Sequence, residues 1–472
     1  MQKRIVIVGA GHVGLVSAAC YAQAGSCVAV YEKDQTKRGI IASGRSWFYE
    51  PSLDGMLRNL KKTGRMTVVS DPVSAVGSSD LAIVAVGTPT RRDGTADLSD
   101  LARACRGIAR GVKLASHYVL VVIRSTVLPG TTSRLIRRTL ERVSRKKAGR
   151  DFGLVVFPEF LREGMAVHDT IHPSRIVIGE LDRRSGNALE RFLKEFYGRD
   201  LPPLIRVNMA TAEMIKCVSN AFLATKVSFI NETANLCERL DNVDVDCVAD
   251  GMGYDHRIGR DFLNAGPGFG GSCLPKDLKT LVKGAKHFRV RLRVAEAALA
   301  TNELQPLRLI RVVHELVGNP RGKKVAVLGL SFKPSTSDMR VAPSVKIIRA
   351  LVKTGMRVKV YDPKATENAK SLFGDTVAYA SNVRDCLEQA DCCLILTEWG
   401  EFSALTAALF VQTMKKPVVV DGRRVLKSLS LDPRIVYRAL GIGRQVSDAI
   451  ASRNCTMRRE HPNRSTGPRH LI

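Results

Sequence analysis

The hydrophobic positions of the first 200 residues form short apolar runs separated by amphipathic segments. Continuous apolar runs of this length are typical of strands in a parallel sheet whose two faces are covered by helices. The runs that predict strands are RIVIVGAG, CVAVYEKD, SDLAIVAVGTPT, HYVLVVIRSTVLPGT, DFGLVVFPEF and SRIVIGE. The segment after the first run, HVGLVSAACYAQAG, predicts a helix that Gly25 ends. The pattern therefore predicts a parallel α/β domain over residues 1–206.

The next segment, TAEMIKCVSNAFLATKVSFINETANLCERLD, has helical periodicity throughout. Glu213, Lys216 and Asn220 share one face of the predicted helix. A second face is apolar, because large hydrophobic residues recur along it at helical spacing: Ile215, Val218, Phe222, Phe229, Leu236 and Leu240. We expect a helical region over residues 207–318, interrupted by a glycine-rich loop, and a central helix of this length often bridges domains or subunits.

The third segment repeats the pattern of the first. GKKVAVLGLSFKP resembles KRIVIVGAGHVG, RVKVYDPK resembles CVAVYEKD, and ADCCLILTEW resembles SDLAIVAVGTP. The fold class predicted is α/β, with two Rossmann-like doubly wound domains joined by the central long-helix region. The second domain, residues 319–444, lacks the glycine fingerprint of the first and is not expected to bind a dinucleotide in the same way. The basic segment of residues 445–472 is predicted to be disordered.

The charge of the chain raises the question of a polyanionic partner. The 472 residues carry a formal net charge of +28, which permits binding to nucleic acid or a membrane surface and also suits an anionic small-molecule substrate. No aromatic residues interleave with the basic ones, so a solvated basic surface is favoured over a nucleic-acid partner. The 11 cysteines show no CxxC pair, which indicates reduced thiols and no metal site. No targeting segment or span-length apolar run is evident, and we expect a cytoplasmic protein.

A glycine fingerprint follows the first predicted strand. Gly9, Gly11 and Gly14 form G-x-G-x-x-G between a strand and a helix, where the turn and the helix N-terminus accommodate a pyrophosphate. Glu32 ends the next strand, where a carboxylate binds a ribose diol and repels a 2′-phosphate, so the cofactor predicted is NAD. Lys37 either contacts the adenosine or is solvated. The alternative for the whole motif is a glycine turn without a ligand.

Polar residues follow three further strands of this domain. Thr88 and Thr126 come just after strands, where ligands of parallel sheets bind, although both could be ordinary turn hydroxyls. Glu159 and Glu163 are spaced i, i+4, which places them on one face of a predicted helix. Glu159 is a candidate base or water-positioning group, and the alternative is a helix N-terminal carboxylate.

The stretch GPGFGGSCLPKD places one cysteine beside four glycines. Pro275 suits the first turn of a helix, so Cys273 is predicted just before a helix N-terminus, where the dipole lowers a thiol pKa. Lys276 adds positive potential, Asp277 could orient water, and these two charges need not form a salt bridge. The alternative is a small buried cysteine beside a turn. With NAD, a cysteine nucleophile indicates a four-electron oxidation of an alcohol to an acid through a thiohemiacetal and a thioester.

The chain resembles the UDP-glucose/GDP-mannose dehydrogenase family from Met1 to about Arg444. The most specific matches are GPGFGGSCLPKD, PEFLREG, STVLPGT, TAEMIKCVSNAFLATKVSFINE and LGLSFKPSTSDMR. The resemblance implies an NAD-binding domain, a central region used in dimerisation and a C-terminal domain for the nucleotide-sugar. It implies a homodimer or higher homo-oligomer. LTEWGEF and LREGMAVHD favour the UDP-glucose branch over GDP-mannose or a UDP-N-acetylhexosamine.

The resemblance also implies roles for individual residues. Cys273 is the implied nucleophile, and the other implied catalytic residues are Asp277, Lys216, Asn220, Glu159 and Thr126. Implied cofactor contacts are Gly9, Gly11, Val13, Gly14, Glu32, Lys37, Thr88, Thr126, Glu163, Lys276 and Arg340. Implied substrate contacts are Glu159, Phe160, Leu161, Arg162, Glu163, Lys216, Asn220, Arg257, Phe262, Leu263, Asn264, Ala265, Gly266, Gly270, Lys333 and Arg423, with Arg257 reaching the neighbouring subunit's substrate.

The sequence departs from the family pattern in three places. Phe157 stands where Asn usually precedes PEF, Val341 and Ala342 replace the usual Glu-Ser before Pro343, and Glu32 replaces the commoner Asp. A different class of function, a non-catalytic NAD-binding or nucleic-acid-binding protein, is opposed by the presence of the cysteine, lysine and aspartate of the family motifs. A two-electron dehydrogenase is a third alternative, which the number of NADH formed per substrate distinguishes.

Overall fold

Two sheets of mainly parallel strands organise the chain, and the computed structural model describes residues 3–443. The predicted basic segment of residues 445–472 lies outside the described residues. The predicted fold class is confirmed, with two doubly wound units and a helical region between them. None of the described helices is long and apolar enough to cross a membrane.

The first sheet has eight strands in the order β3-β2-β1-β4-β5-β6-β7-β8. Its strands are β1 Arg4–Val8, β2 Cys27–Tyr31, β3 Met66–Val69, β4 Leu81–Val84, β5 Leu120–Ile123, β6 Gly153–Val156, β7 Ile176–Glu180 and β8 Leu204–Asn208. The expectation of an entirely parallel sheet was wrong at one pair, because β7 runs antiparallel to β6. A short loop and helix lead from β6 to β7, and β8 then pairs parallel to β7.

Helices cover both faces of the first sheet. They are α1 His12–Gln23, α2 Gln35–Ala42, α3 Leu53–Thr63, α4 Pro72–Gly77, α5 Ser99–Leu114, α6 Arg137–Ser144, α7 Ala166–Ile171 and α8 Arg183–Tyr197. A π-helical turn, Thr132–Ile136, leads into α6, and a 3-10 turn, Gly198–Asp200, follows α8. Leu15, Leu57 and Leu189 belong to the core on one face, and Leu101 and Leu140 to the core on the other. The strands are buried on both sides, which explains their continuous apolar sequence.

The central region consists of α9 Met209–Cys237, α10 Val245–Gly253, α11 Leu274–His287 and α12 Arg293–Val317. Helix α9 packs against α11 and α12 and against β7 of the first sheet. Its side chain Ser228 donates to the carbonyl of Ala298 in α12 at 2.8 Å. The polar face predicted for α9 is buried at Glu213, Lys216 and Asn220, whereas large residues of its apolar face are exposed.

The second sheet has six parallel strands in the order β11-β10-β9-β12-β13-β14. They are β9 Lys324–Leu328, β10 Arg357–Tyr361, β11 Ala378–Tyr379, β12 Cys392–Ile395, β13 Val418–Asp421 and β14 Val436–Ala439. The helices are α13 Pro343–Lys353, α14 Thr366–Phe373, α15 Val383–Leu387, α16 Gly400–Ser403 and α17 Ala407–Thr413, with 3-10 turns at Gly374–Thr376 and Lys427–Leu431. The loop after β9 reaches back to the first domain, so the two units meet at the glycine-rich loop.

Candidate active site

The glycine turn after β1 forms an open cradle at the start of α1. Gly9 has φ +101°, and a Cβ there would lie 2.7 Å from the carbonyl oxygen of Ala85. A Cβ at Gly14 would lie 1.8 Å from the carbonyl oxygen of Gly9, so only glycine permits this close helix–strand packing. A Cβ at Gly11 would meet nothing within 4 Å, and no side chain caps the N-terminus of α1. The free amides and the open space fit a dinucleotide pyrophosphate.

Glu32 lies beside this turn at the end of β2. Its carboxylate accepts from the backbone N–H of Ala10 at 3.0 Å and of Asp34 at 3.1 Å, which holds it at the position expected for a ribose ligand. Lys37 lies with its ammonium 3.8 Å above the ring of Trp47, and the indole of Trp47 donates to the carbonyl of Ala10 at 2.9 Å. Sequence reasoning missed Trp47. The available signal was a run of three aromatic residues in the stretch SGRSWFYE.

Thr88 and Thr126 meet at the carboxyl ends of β4 and β5. The hydroxyl of Thr88 donates to the carbonyl of Thr126 at 2.8 Å, and the Lys276 ammonium donates to the Thr88 hydroxyl at 3.4 Å. All three line a cavity of about 630 Å³, together with Val13 of the glycine turn. The carboxyl ends of the strands and the first turn of α11 therefore face one cavity.

Cys273 lies at this cavity and occupies the position just before the first turn of α11, as the sequence predicts. The prediction of a lowered thiol pKa was wrong. Burial, reinforced by the Glu159 carboxylate, raises the pKa of the Cys273 thiol to about 11. Lys216 opposes this rise. The helix N-terminus stabilises a thiolate by a modest amount, whereas loss of hydration costs more. This environment therefore favours the protonated thiol of Cys273 at neutral pH.

Glu159 and Lys216 form a buried ion pair beside Cys273. Their charged atoms are 3.0 Å apart, and each side chain is only 5% exposed. Burial opposes ionisation of Glu159, but the Lys216 ammonium outweighs it, so the pKa of Glu159 lies below its ordinary value. Burial likewise opposes the charge on Lys216, and Glu159, Cys273 and Asp277 together raise its pKa. The site thus holds a fixed cation next to the sulfur.

Asp277 accepts two hydrogen bonds beneath the site. Asn220 donates to it at 2.6 Å and Lys276 at 2.5 Å, and the Asp277 side chain is 2% exposed. The expectation that Lys276 and Asp277 need not form a salt bridge was wrong, because their side chains pair directly. Asp277 lies in the first turn of α11 and Asn220 on the buried face of α9, so the packing of α9 against α11 creates this contact.

Glu163 belongs to a second group of polar residues in the cavity. The prediction that Glu159 and Glu163 share a helix face was wrong, since both lie in the loop between β6 and α7. Glu163 accepts from the Ser272 hydroxyl at 2.7 Å and from Arg340 at 3.3 Å. Burial and the neighbouring Asp338 raise the pKa of Glu163 to about 7. The loop brings the carboxylate between the glycine-rich loop and the C-terminal domain, which a helix could not do.

Three further cavity residues were missed by sequence reasoning. His12 follows the second glycine of the turn, and burial and the Arg340 charge lower its pKa to about 4. Ser272 lies 3.4 Å from the sulfur of Cys273. Arg124 is 5% exposed and lies 4.4 Å from the ring centre of Phe157, the residue that departs from the family pattern. Nothing in the local sequence marks an arginine at the end of a buried strand as part of a site.

The glycine-rich loop packs against the C-terminal domain. A Cβ at Gly266 would lie 2.9 Å from the guanidinium of Arg423, and a Cβ at Gly270 would lie 2.7 Å from the carbonyl oxygen of Val341. Lys333 is half-buried nearby, and its desolvation lowers its pKa. These contacts bring together Gly266, Gly270 and Arg423 of the predicted substrate set. Val341 itself has φ +52°, a left-handed conformation that β-branched residues rarely adopt.

The remaining predicted substrate residues are distributed around this group. The backbone N–H of Leu161 donates to Glu159 at 2.7 Å, and Phe160 lies between Lys216 and Arg175. Phe262 has φ +66° and precedes Leu263 and Ala265, which are buried under α9 and α10. Three of the predicted substrate residues have side-chain partners within this chain. Arg162 pairs with Asp169, Asn264 accepts a hydrogen bond from Arg260, and exposed Arg257 pairs with Asp255. No cluster of metal-ligating side chains is found among residues 3–443.

Three family models match consecutive parts of the chain. The NAD binding domain of the UDP-glucose/GDP-mannose dehydrogenase family matches residues 3–197, its central domain residues 210–304 and its UDP binding domain residues 326–428. The UDP-glucose 6-dehydrogenase of Rhizobium meliloti is 41% identical over 431 residues, covering 90% of this chain and 96% of its own. UDP-glucose 6-dehydrogenase TuaD of Bacillus subtilis is 39% identical over 441 residues, covering 93% of both chains.

Solved structures show the same fold. A UDP-glucose dehydrogenase from Pyrobaculum islandicum superposes with a TM-score of 0.85 at 36% identity, covering 94% of this chain and 97% of its own. A UDP-D-ManNAc dehydrogenase from Pyrococcus horikoshii has a TM-score of 0.82 at 27% identity, covering 93% of this chain and 99% of its own.

The glycine cradle, the acidic residue at the end of β2 and the cysteine cavity define an oxidoreductase that uses NAD. The chain belongs to the UDP-glucose/GDP-mannose dehydrogenase family. The predicted family, enzyme class and cofactor are therefore confirmed.

Proposed function

We propose that this enzyme oxidises the C6 alcohol of UDP-glucose to the carboxylate of UDP-glucuronate in two successive two-electron steps. The observation that carries the proposal is the arrangement around Cys273. A buried Lys216–Glu159 ion pair and the Asn220–Asp277–Lys276 group flank one cysteine at a cavity beside the glycine cradle. The identity of the relatives as UDP-glucose 6-dehydrogenases supports the choice of sugar.

The binding residues divide between the two ends of the cavity. The glycine turn, Glu32, Lys37 and Trp47 would hold NAD, which supplies a hydride acceptor when it is bound. The cations of the C-terminal side, Lys333 and Arg423, lie where the acidic substrate diphosphate would need them. The glycine-rich loop between them allows the sugar to approach Cys273 closely.

The chain's own residues perform the steps at sulfur. After the alcohol becomes an aldehyde, the Cys273 thiol gives up its proton as its sulfur adds to the aldehyde carbon, and the carbonyl oxygen takes up a proton, which gives a thiohemiacetal. Loss of a second hydride and the hydroxyl proton gives a thioester. Lys216 stabilises the oxyanions that develop in these steps, because its ammonium is fixed next to the sulfur by Glu159.

Hydrolysis of the thioester requires a positioned water. Glu159 and Asp277 are the carboxylates that flank the sulfur, and Asn220 and Thr126 complete the hydrogen-bonding groups around them. Water attacks the thioester carbon and the C–S bond breaks. This step forms the carboxylic acid product and regenerates the Cys273 thiol. Glu159 is the proposed base, since Lys216 keeps it ionised at neutral pH.

We propose that the domains end at residues 206, 318 and 444. We also propose that two chains associate through the exposed face of α9. Phe222, Phe229 and Leu236 are 66%, 51% and 60% exposed and recur every seventh residue along the helix. An apolar stripe of this length on an otherwise well-packed chain is typical of an interface. The exposed loop of Arg257 would then be free to reach a neighbouring site.

The decisive experiment counts NADH and product for several sugars. With UDP-glucose we expect two NADH per uronate formed, and with GDP-mannose or UDP-N-acetylhexosamines a much lower kcat/KM. Cys273→Ser should lower the rate of uronate formation by about 10³-fold or more, because a serine hydroxyl is a much weaker nucleophile than a thiolate and does not form the covalent adduct. One NADH per sugar, or normal uronate production by Cys273→Ser, would contradict the mechanism. A higher kcat/KM with another nucleotide-sugar would contradict the assignment of UDP-glucose as the substrate.

A further inference from the structure

Among residues 3–443, a concentration of largely unpaired positive charge lies outside the active site, on helices α5 and α6. Arg103, Arg106, Arg110 and Lys113 are all exposed on α5, and their spacing places them within one narrow arc of that helix. Arg138 and Arg142 are exposed one turn apart on α6, Arg134 is exposed in the π-helical turn before it, and Arg145 is exposed at its C-cap. We call these eight residues the basic face.

The two stripes of the basic face lie side by side. Helices α5 and α6 pack against each other over the same core, which contains Leu101 and Leu140. The Lys146 ammonium fastens their ends together by donating to the carbonyls of Val112 at 2.7 Å and Ala115 at 2.6 Å. With about 1.5 Å of rise per residue and about 8–10 Å between helix axes, the cations cover a flat area of roughly 15 Å by 10 Å.

Acidic residues do not neutralise this face. Among residues 3–443, Arg103 is the only member with a carboxylate within ion-pair distance, and that carboxylate, Asp100, also binds Lys33. Glu141 lies on α6 but is already paired with Arg137. On α8, by contrast, Lys194 pairs with Glu190. The basic face is thus a local excess of positive charge, and eight like charges so close together are unfavourable without a partner.

The composition of the face indicates the chemistry of the partner. Seven of its eight cations are arginines, whose planar guanidinium groups bind phosphate oxygens in pairs. Two large apolar side chains accompany them: Leu114, which is 68% exposed and follows Lys113, and Leu135, which is 40% exposed and precedes Arg138 by three positions. No aromatic side chain is present on α5 or α6 on which a base could stack.

We propose that the basic face docks this enzyme on the surface of an anionic phospholipid bilayer. The flat pair of helices, the phosphate-binding arginines and the two protruding leucines match a surface that offers headgroup phosphates above an apolar layer. A nucleic acid would satisfy the charges but would leave the leucines exposed. The proposal is independent of the proposed reaction, since the face lies on the outer side of α5 and α6 and contains none of the residues around Cys273.

Docking in this orientation leaves the catalytic cavity accessible. The cavity lies at the carboxyl ends of β4 and β5, whereas the basic face lies on the side of the sheet covered by α5 and α6. The other side of the sheet is covered by α1, α3 and α8. Cations on α3 and α8 therefore point away from a bilayer that contacts the basic face, which provides a control with the same net charge.

The test compares two fourfold charge reversals in the full-length chain. The first changes Arg106, Arg110, Arg138 and Arg142 to Glu, a residue that preserves helix propensity. The matched control changes Arg58, Lys61, Lys62 and Arg191 to Glu, all exposed on the opposite side of the sheet. Both retain residues 445–472, so any contribution of that segment is the same. Unchanged thermal unfolding and turnover would verify that both variants fold.

Binding is measured by co-sedimentation with vesicles of phosphatidylcholine containing roughly 30% phosphatidylglycerol, at about 0.1 M salt. We expect the basic-face variant to bind at least about 50-fold more weakly than the unmodified enzyme, and the control to differ by less than about threefold because its charges are beyond a screening length. Vesicles of pure phosphatidylcholine should bind none of the three proteins. Leu114→Ser with Leu135→Ser should weaken binding about fivefold, since the leucines enter the apolar layer.

Three outcomes would overturn the proposal. Absence of vesicle binding by the unmodified enzyme excludes a bilayer partner. Equal losses of vesicle binding in the two charge variants would show that the net charge of the protein, and not the basic face, determines binding. Retention of a DNA duplex of about 30 base pairs through the basic face, with no binding to vesicles, would identify a nucleic-acid partner instead.

Discussion

Cys273, the proposed nucleophile, lies in an environment that favours its protonated form. The thiol lies at a helix N-terminus, yet burial and the Glu159 carboxylate raise its pKa to about 11. A thiol kept protonated until the active site fills is less exposed to oxidation and alkylation. The same environment contains Lys216, whose ammonium opposes the rise and, in the proposed reaction, stabilises an oxyanion.

The raised thiol pKa predicts how Cys273 reacts with iodoacetamide in the unliganded enzyme. Its alkylation rate should keep increasing with pH up to about 11, since the thiolate is the reactive form and the group loses its proton only there. Glu159→Gln removes an anion that raises the pKa, so alkylation at pH near 9 should become severalfold faster. Mass spectrometry of the Cys273 peptide measures both rates.

The exposed Cys27 in the same samples is the internal control. Its alkylation rate should be the same in both proteins. A Cys273 profile that levels off near neutral pH would show that the helix N-terminus dominates over burial, contrary to the environment described for this thiol.

Val341 is a second residue whose conformation has a measurable consequence. Its φ of +52° is unfavourable for a β-branched side chain, and the side chain is 58% exposed, so burial does not compensate. Val341→Asn should therefore stabilise the protein by about 1 kcal/mol, because Asn tolerates this backbone region. The matched control is Val436→Asn in β14, at 50% exposure in an extended strand, which should destabilise. Chemical denaturation of both variants checks the prediction, and destabilisation by Val341→Asn would contradict it.

At the level of elements, one arginine ties the C-terminal sheet to the central helices. Arg424 follows β13 and is 2% exposed, and it bonds Asp244 and Asp246 at the start of α10 and the carbonyl of Leu440. Lys427 contacts the same two carboxylates. This contact joins the second sheet to α10 of the central region.

Removal of this arginine should loosen the domain arrangement. Arg424→Met leaves two carboxylates without their buried partner and should lower the free energy of unfolding by on the order of 3 kcal/mol. Burial opposes ionisation of Asp246, but Arg424 and Lys427 hold its pKa below the ordinary value. Ionised Asp246 therefore stabilises the folded protein above the unfolded-state pKa of about 4. This contribution to the free energy of unfolding is lost as the pH falls from there through the lower pKa of the folded state. Thermal unfolding between about pH 6 and pH 3 should show a smaller acid-induced loss in the variant.

Arg434→Met is the matched control, because Arg434 pairs with Asp432 at an exposed position near β14. Its melting temperature should equal that of the unmodified enzyme. An Arg424 variant that unfolds like this control would show that the contact between β13 and α10 contributes little.

For the whole molecule, the exposed stripe on α9 predicts the state of association. Phe229→Glu places a charge in the middle of the stripe and should convert the proposed dimer to monomer at micromolar concentration, since a buried unpaired charge opposes association. Phe288→Glu is the control, because Phe288 is 66% exposed at the end of α11, outside the stripe. Sedimentation velocity distinguishes the two. A monomeric unmodified enzyme, or a dimer that survives Phe229→Glu, would refute the interface.

Much of the fold follows from local sequence. Apolar runs and glycine turns specify strands and their connections, and GAGHVG after β1 specifies the dinucleotide cradle, because each depends on neighbouring residues in the chain. The motif residues Cys273, Lys216, Asn220, Asp277 and Glu159 could all be selected as candidates before any coordinates. The family they indicate is confirmed by the comparisons. Their individual roles remain proposals.

Tertiary structure decided the electrostatics and the contacts between distant segments. The pairing of Lys216 with Glu159, the raised pKa of Cys273 and the antiparallel strand β7 depend on burial and on residues far apart in sequence. Arg124, His12 and Trp47 line the cavity only because separate loops converge there. Local sequence patterns determine where strands, helices and turns form and which residues are candidates for chemistry. The free energy of an ionised group, in contrast, depends on how much water the whole fold removes from it.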